Sequence, residues 1–192
     1  MQKGYEYLAA GNEQKACELW AGVWGYLKEF YTSVAKDVDD IDKIFQGQQS
    51  VFNWCQDFEL ELGNAGLRDN KFHHLRIQFC TEFCELFPET DKLTLHNMMR
   101  AGAESYFGIG DRENGDKTFE KLTQTYPENA WGYIGWGGVY DGFIRYDDIP
   151  VDLEKAKRIY QMGLERATID KEEIKSRLKV LESKKSVVAA KE

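Results

Sequence analysis

Proline is scarce in this chain of 192 residues: only Pro88, Pro127 and Pro150 occur. Each falls where a helical pattern stops or is about to start. Runs of β-branched residues with period-two alternation are missing, so the chain reads as helix and turn with no strands. No apolar run approaches the roughly 20 residues that a membrane-spanning helix needs. Basic charge is in deficit: 25 Lys and Arg stand against 33 Asp and Glu, a formal net charge of −8. That balance argues against nucleic acid or an anionic membrane as the main partner. Cysteines number four, which in an intracellular chain of this size are expected as free thiols. The opening residues, MQKGYEYLAAGNEQ, lack the charged-then-apolar pattern of a signal peptide, and the expected location is cytoplasmic.

What is present is helix-forming material. Hydrophobic residues make up 42% and charged residues 30%, too apolar a mixture for a disordered chain. In residues 12–34, Ala16, Leu19, Trp20, Val23, Trp24, Leu27, Phe30 and Tyr31 recur at three- and four-residue steps and fill one broad stripe of a helix. A short helix over 1–10 precedes it across a Gly11-Asn12 turn. The acidic stretch Asp37 to Asp42 reads as a solvated loop leading into a helix start, where acids suit the macrodipole. Further helices are predicted over 41–62, 69–87, 91–108, 111–126, 128–145, 152–167 and 170–185, the last capped by Asp170, with a frayed tail over 186–192. The expected fold is all-α, about nine helices in one domain over 1–185. Its hairpins would span about 1–34, 41–87, 91–126 and 128–168, with a capping helix at 170–185. One hairpin cannot bury its own apolar face, so hairpins stack side by side.

A weak repeat runs through the pattern. Met99, Gly102, Ala103 and Tyr106 are followed by Gly115, Phe119 and Pro127. The next unit offers Tyr133, Trp136, Gly137 and Tyr140, then Ala156 and Tyr160 after a gap seven residues too long. The N-terminal hairpin gives Gly4, Tyr7, Ala16 and Trp20. These spacings resemble the tetratricopeptide repeat of about 34 residues. Small residues at Gly4, Ala103 and Gly137 would let paired helices approach, and Trp20, Phe119 and Tyr160 would fill the space between units.

The wording resembles something narrower. SVFNWCQDFELELGNAG (50–66), RIQFCTEFCELFP (76–88) and ENAWGYIGWGGVYD (128–141) are similar to segments of bacterial, mostly Gram-positive, tetratricopeptide-like proteins. Some of those carry a C-terminal SEC-C zinc knuckle, and that cysteine-rich segment is absent from these 192 residues. The resemblance implies a right-handed array of hairpins whose first helices line a concave groove. Carried onto this chain, it places Asn97, Arg100, Glu104, Trp131 and Ile134 in that groove. The basic-and-asparagine clamp for peptide carboxylates is not reproduced, since Glu104 stands where an asparagine would help.

Two charges interrupt apolar arcs. On 69–87, Arg76 falls among Phe72, Leu75, Phe79, Phe83, Leu86 and Phe87. On 41–62, Glu59 falls beside Gln48 among Val51, Phe52, Cys55, Phe58 and Leu62. A charge so placed needs a partner, and the expectation is a buried Glu59–Arg76 pair, with Gln48 assisting. His73, Cys80 and Cys84 share a flank at steps of seven and four, a spacing able to chelate zinc, yet buried thiols more often simply pack. A calcium loop beginning at Asp37 would place Asp42 and Gln48 where glycine and glutamate are required, so it fails. His73, His74 and His96 sit in no catalytic motif, and no metal or cofactor is expected. The leading expectation is a non-catalytic scaffold that binds a protein, as a peptide or partner helix, in the groove. The alternative is a small-ligand binder or helical enzyme with a pocket around Arg76, Glu59 and Trp54. A lesser reading has the groove self-associate into a homodimer.

Overall fold

Short polar side chains set most of the helix starts. In the computed structural model, which describes residues 1–31, 33, 35–146 and 148–189 with side chains through 183, Asp37, Ser50, Asp91, Asp111, Asn129 and Asp152 each accept a hydrogen bond from a backbone N–H of the turn they precede. Each satisfies a donor that the first helical turn leaves without a partner. Ten helices occur among the described residues: α1 (Gln2–Ala9), α2 (Glu13–Tyr31), α3 (Val38–Ile44), α4 (Val51–Gly66), α5 (Lys71–Leu86), α6 (Lys92–Gly108), α7 (Arg112–Thr125), α8 (Ala130–Tyr140), α9 (Leu153–Arg166) and α10 (Lys171–Ala189). The described residues hold no strand, only one isolated parallel bridge between Asn129 and Ile169. The protein is all-α.

Several boundaries differ from expectation, α4 for one running on to Gly66 where an end at 62 was expected. The helix expected over 41–62 is split into α3 and α4 by a loop at 45–50. Asp42 is the physical reason. Its carboxylate reaches across the break to accept from the backbone N–H of Val51, from that of Phe52 (3.2 Å) and from the Ser50 hydroxyl (2.7 Å). The helix start expected in the acidic run is present, with Asp37 as the cap of α3, while Asp42 at its end adds bonds to the start of α4 beside that helix's own cap, Ser50. Helix α8 ends at Tyr140 rather than 145, because Asp141 turns to accept from Phe143 N–H (2.7 Å) and Gly142 takes φ 75°. Helix α10 continues to Ala189, past the expected end; of the tail expected to fray, 190–192 lie outside the described residues.

The chain folds as two compact units, Met1–Ile109 and Gly110–Glu192, so the boundary falls inside the hairpin expected over 91–126. In the first unit α1 packs on α2, α2 on α4, α4 on α5, and α5 on α6, with α3 against α4 and α4 touching α6. Its core is aromatic. Trp20 meets Trp54 edge-on (6.1 Å between centroids), Trp54 stacks on Phe58 (5.3 Å), Phe58 meets Phe79 (4.8 Å), and Phe79 meets Trp24 (4.7 Å). Each such pair adds about 0.5–1.5 kcal/mol beyond its area burial. In the second unit α8 is central, packed on α7, α9 and α10. Nine of its eleven residues are buried, as befits a helix that is apolar all round.

Close approach rests on glycines that face large rings. A Cβ on Gly4 would overlap the Trp20 indole, and one on Gly137 would overlap the Tyr160 ring. Gly163 does the same for Tyr133 (2.7 Å). Gly4, Ala103 and Gly137 are all buried, as are Trp20, Phe119 and Tyr160.

Candidate functional site

Arg76 on α5 is the centre of a part-buried ionic cluster in the first unit. Its Nε donates to Glu59 Oε1 on α4 at 2.7 Å, and a second guanidinium nitrogen, Nη2, contacts the same oxygen. Nη1 lies 3.8 Å from Glu104 Oε2 and 3.4 Å from Ser105 Oγ, both on α6. Burial by itself would lower the guanidinium pKa; the Glu59 and Glu104 carboxylates outweigh it and hold the pKa above its usual value. Gln48 takes no part. It belongs to the exposed loop at 45–50, because the break at Asp42 carries it off the face of α4. The second and third partners, Glu104 and Ser105, come instead from α6. Arg76 thus ties α4, α5 and α6 together, and its guanidinium is met by carboxylates on two sides. Trp54, expected beside a pocket, is fully buried between Trp20 and Phe58.

His73 is a wedge. Its ring lies so close to two helix ends that a Cβ on Gly66 or on Gly108 would come within 2.6 Å of it. Its Nδ1 is buried without a hydrogen-bond partner. Burial, with the positive charge of Arg76 and the neighbouring His74, lowers its pKa, so the ring is held neutral. Burial also pushes the Cys80 and Cys55 thiols well above the usual thiol range. These groups therefore act as core. Among the described residues no group of three or more His, Cys, Asp or Glu is placed to hold a metal ion.

The residues expected in the groove fall on two units. Asn97, Arg100 and Glu104 lie partly exposed on α6 of the first, and Arg100 Nη1 stands 3.8 Å from Glu104 Oε1. Trp131 lies partly exposed at the start of α8 in the second, its indole N–H donating to Asp170 Oδ2 at 2.8 Å. Ile134 is only 4% exposed and is a core residue, not a lining one. Helix α8 is apolar on every side, so periodicity gave no means of telling an outer face from an inner one. Asp170 precedes α10 in a left-handed conformation (φ 55°).

A second ionic network, in the second unit, escaped the sequence reading. Asp116 on α7 accepts from Trp136 Nε1 (2.7 Å), Tyr140 OH (2.8 Å) and Lys155 Nζ (2.6 Å). Lys155 Nζ and Arg112 Nε also donate to the Tyr140 hydroxyl, at 2.8 and 3.2 Å. Both cations lie over the Tyr140 ring, at 4.0 and 5.1 Å from its centroid. The usable signal was there: Asp116 shares a helix face with Phe119, Leu122 and Thr123, all buried, which is the signal that singled out Arg76. Beyond it, Asp141 accepts from Tyr160 OH at 2.8 Å, joining α9 to the end of α8.

No protein-family model matches this chain, and no curated protein or solved structure is significantly similar to it. No helix among the described residues is long and apolar enough to cross a membrane.

Proposed function

We propose that the chain is a non-catalytic scaffold of tetratricopeptide type that binds another protein, taking an extended peptide or partner helix along the first helices of its hairpins. The observation that carries this reading is the closure of Arg76. Glu59 and Glu104 take its guanidinium on two sides, so its charge is already met by two carboxylates, which disfavours a small anionic ligand there. A pocket around Arg76, Glu59 and Trp54 would also need an accessible Trp54, and that ring is sealed in the core. The nested pairs Gly4–Trp20 and Gly137–Tyr160 support the hairpin packing on which a repeat scaffold depends. In the first unit Asn97, Arg100 and Glu104 on α6 supply polar contacts; in the second, taken by itself, Trp131 on α8 supplies an aromatic one.

The test is affinity capture from a lysate of cells that express the protein, with Arg100→Glu and Trp131→Ala as separate controls. Proteins retained by the wild type and lost with either variant support the reading. Equal retention by all three removes these helix faces from it.

A further inference from the structure

No lysine or arginine stands between Lys43 and Arg68, a stretch that carries three carboxylates, Asp57, Glu59 and Glu61, all on α4. Glu59 turns to Arg76. Asp57 and Glu61 flank it by two residues on either side, which on a helix sets them together on another face, one turn apart. Both are partly exposed. Among the described residues neither takes part in an ion pair. Asp57 accepts from the Tyr5 hydroxyl on Oδ2 (2.6 Å) and Glu61 from the Asn64 carboxamide on Oε2 (3.3 Å), both uncharged donors. Asp57 also lines a wide hollow of about 430 Å³, together with Tyr5, Gln49, Asn53 and Gln56. Leu60, three residues from Asp57 and next to Glu61, is 55% exposed on the same side of α4.

Charge selects what this face takes. Met1–Ile109 holds 17 Asp and Glu against 10 Lys and Arg, so nearly all of the chain's net −8 falls in the first unit. A basic segment is drawn to such a surface and an acidic one is repelled. The hollow has a carboxylate and no cation in its lining, and each of its five side chains carries an acceptor oxygen. Gln49 gives an amide N–H to Gln2 (3.5 Å), and the Tyr5 hydroxyl is spent as a donor on Asp57. An ammonium is a compact charge with three N–H donors and suits scattered oxygens of this kind. A guanidinium is a planar fork that fits best on a carboxylate with both oxygens open, and one oxygen of Asp57 is already engaged. The exposed Leu60 gives the methylene stem of a lysine an apolar surface to lie on.

We infer that the outer face of α4 docks a lysine-bearing segment of a partner protein, with one ammonium seated in the Tyr5–Asp57 hollow and a second at Glu61. The inference rests on the scaffold reading and names the chemistry of the partner at a face that α6 and α8 do not include.

The test is amide NMR of the full chain titrated with a capped peptide that carries two lysines. It is run on the wild type, on Asp57→Asn/Glu61→Gln, and on Glu85→Gln/Glu89→Gln, which removes two charges at exposed positions elsewhere in the first unit. All four changes keep the side-chain shape, and matching thermal unfolding confirms that each variant folds. The expected result is a saturable shift of the Asn53, Gln56 and Asp57 amides. The affinity falls roughly three-fold or more in the Asp57/Glu61 variant and stays near the wild-type value in the Glu85/Glu89 variant. An equal fall in both makes net charge the cause and overturns the site, as does a peptide with glutamines for lysines that binds alike. Tighter binding of the two-arginine peptide overturns the ammonium. Putrescine binding as well as the peptide makes the occupant a small amine and overturns the partner segment. In the lysate capture, proteins retained equally by the Asp57/Glu61 variant but lost with Arg100→Glu overturn this site and leave the scaffold reading standing. No protein retained by the wild type overturns both.

Discussion

The Tyr160 ring occupies the space that a side chain on Gly137 would need. The contact holds α9 against α8, the central helix of the second unit. Gly137→Ala is therefore expected to destabilise by about 1–3 kcal/mol through overpacking. Gly22→Ala and Gly25→Ala, where a Cβ meets nothing within 4 Å, should instead stabilise by roughly 0.5–1 kcal/mol, the helix-propensity gain of alanine over glycine. Urea unfolding of the three variants checks both signs.

The Glu59–Arg76 pair gives a two-step prediction. Glu59→Ala leaves the part-buried Arg76 with only the 3.8 Å contact to Glu104 and its bond to Ser105. The expected loss is about 2–4 kcal/mol, since removing one member of a buried pair strands the other. Replacing both, as Glu59→Leu/Arg76→Leu, should recover most of that loss, because well-packed apolar residues often substitute for a buried pair at little cost. An unfolding midpoint that Glu59→Ala does not move contradicts the role assigned to the pair.

Why that pair was legible and its surroundings were not has a physical basis. A charge inside an apolar arc of a helix can be read from periodicity, which locates Arg76 and Glu59 without knowledge of the fold. Glu104 and Ser105 join them only because α6 lies on α5, a tertiary fact that no single helix encodes. The break after α3 was hidden for a related reason. Asp42, which fixes the break, sits nine residues before the Val51 N–H that it accepts from, so only the local cap, Ser50 with the Asn53 N–H, marked the start of α4 in the sequence. Ile134 was misplaced because a helix with glycines and aromatics on every side has no outer face to recognise. The Asp116 network was readable by the rule that found Arg76.

Acid sensitivity should trace to His73. Its folded-state pKa lies below the ordinary value because burial and Arg76 disfavour the charged ring. The unfolded chain therefore takes up a proton at about pH 6.5 that the folded protein refuses. Stability due to this group is full above that pH and falls as the pH drops from it towards the lower folded pKa, at up to about 1.4 kcal/mol per pH unit. Proton NMR of the His73 ring should give a midpoint below the unfolded value. A midpoint at or above it contradicts the wedge held neutral between Gly66 and Gly108.

Asp170 combines a left-handed backbone with the acceptor for the Trp131 indole. Asparagine tolerates that conformation and keeps an acceptor oxygen, whereas alanine does neither well. Asp170→Asn should thus stay within about 0.5 kcal/mol of the wild type, and Asp170→Ala should lose about 1–2 kcal/mol. The indole N–H resonance of Trp131 supplies the second readout, moving little in the first variant and strongly in the second.

Asp116 gathers a lysine, a tyrosine and a tryptophan onto one carboxylate. Asp116→Asn keeps an acceptor but removes the carboxylate that pairs with Lys155, while Lys155 and Arg112 both still donate to the Tyr140 hydroxyl. The carboxylate and the lysine are about a quarter exposed, at 25% and 22%, so solvent screens part of the loss and about 1–2 kcal/mol is expected. Adding Lys155→Met removes the stranded cation and should restore part of the stability, which Asp116→Asn combined with Lys179→Met, at an exposed position on α10, should not. Urea unfolding followed by tryptophan fluorescence, to which Trp136 contributes, distinguishes the two double variants. Equal recovery in both would mean that net charge, rather than this network, sets the response.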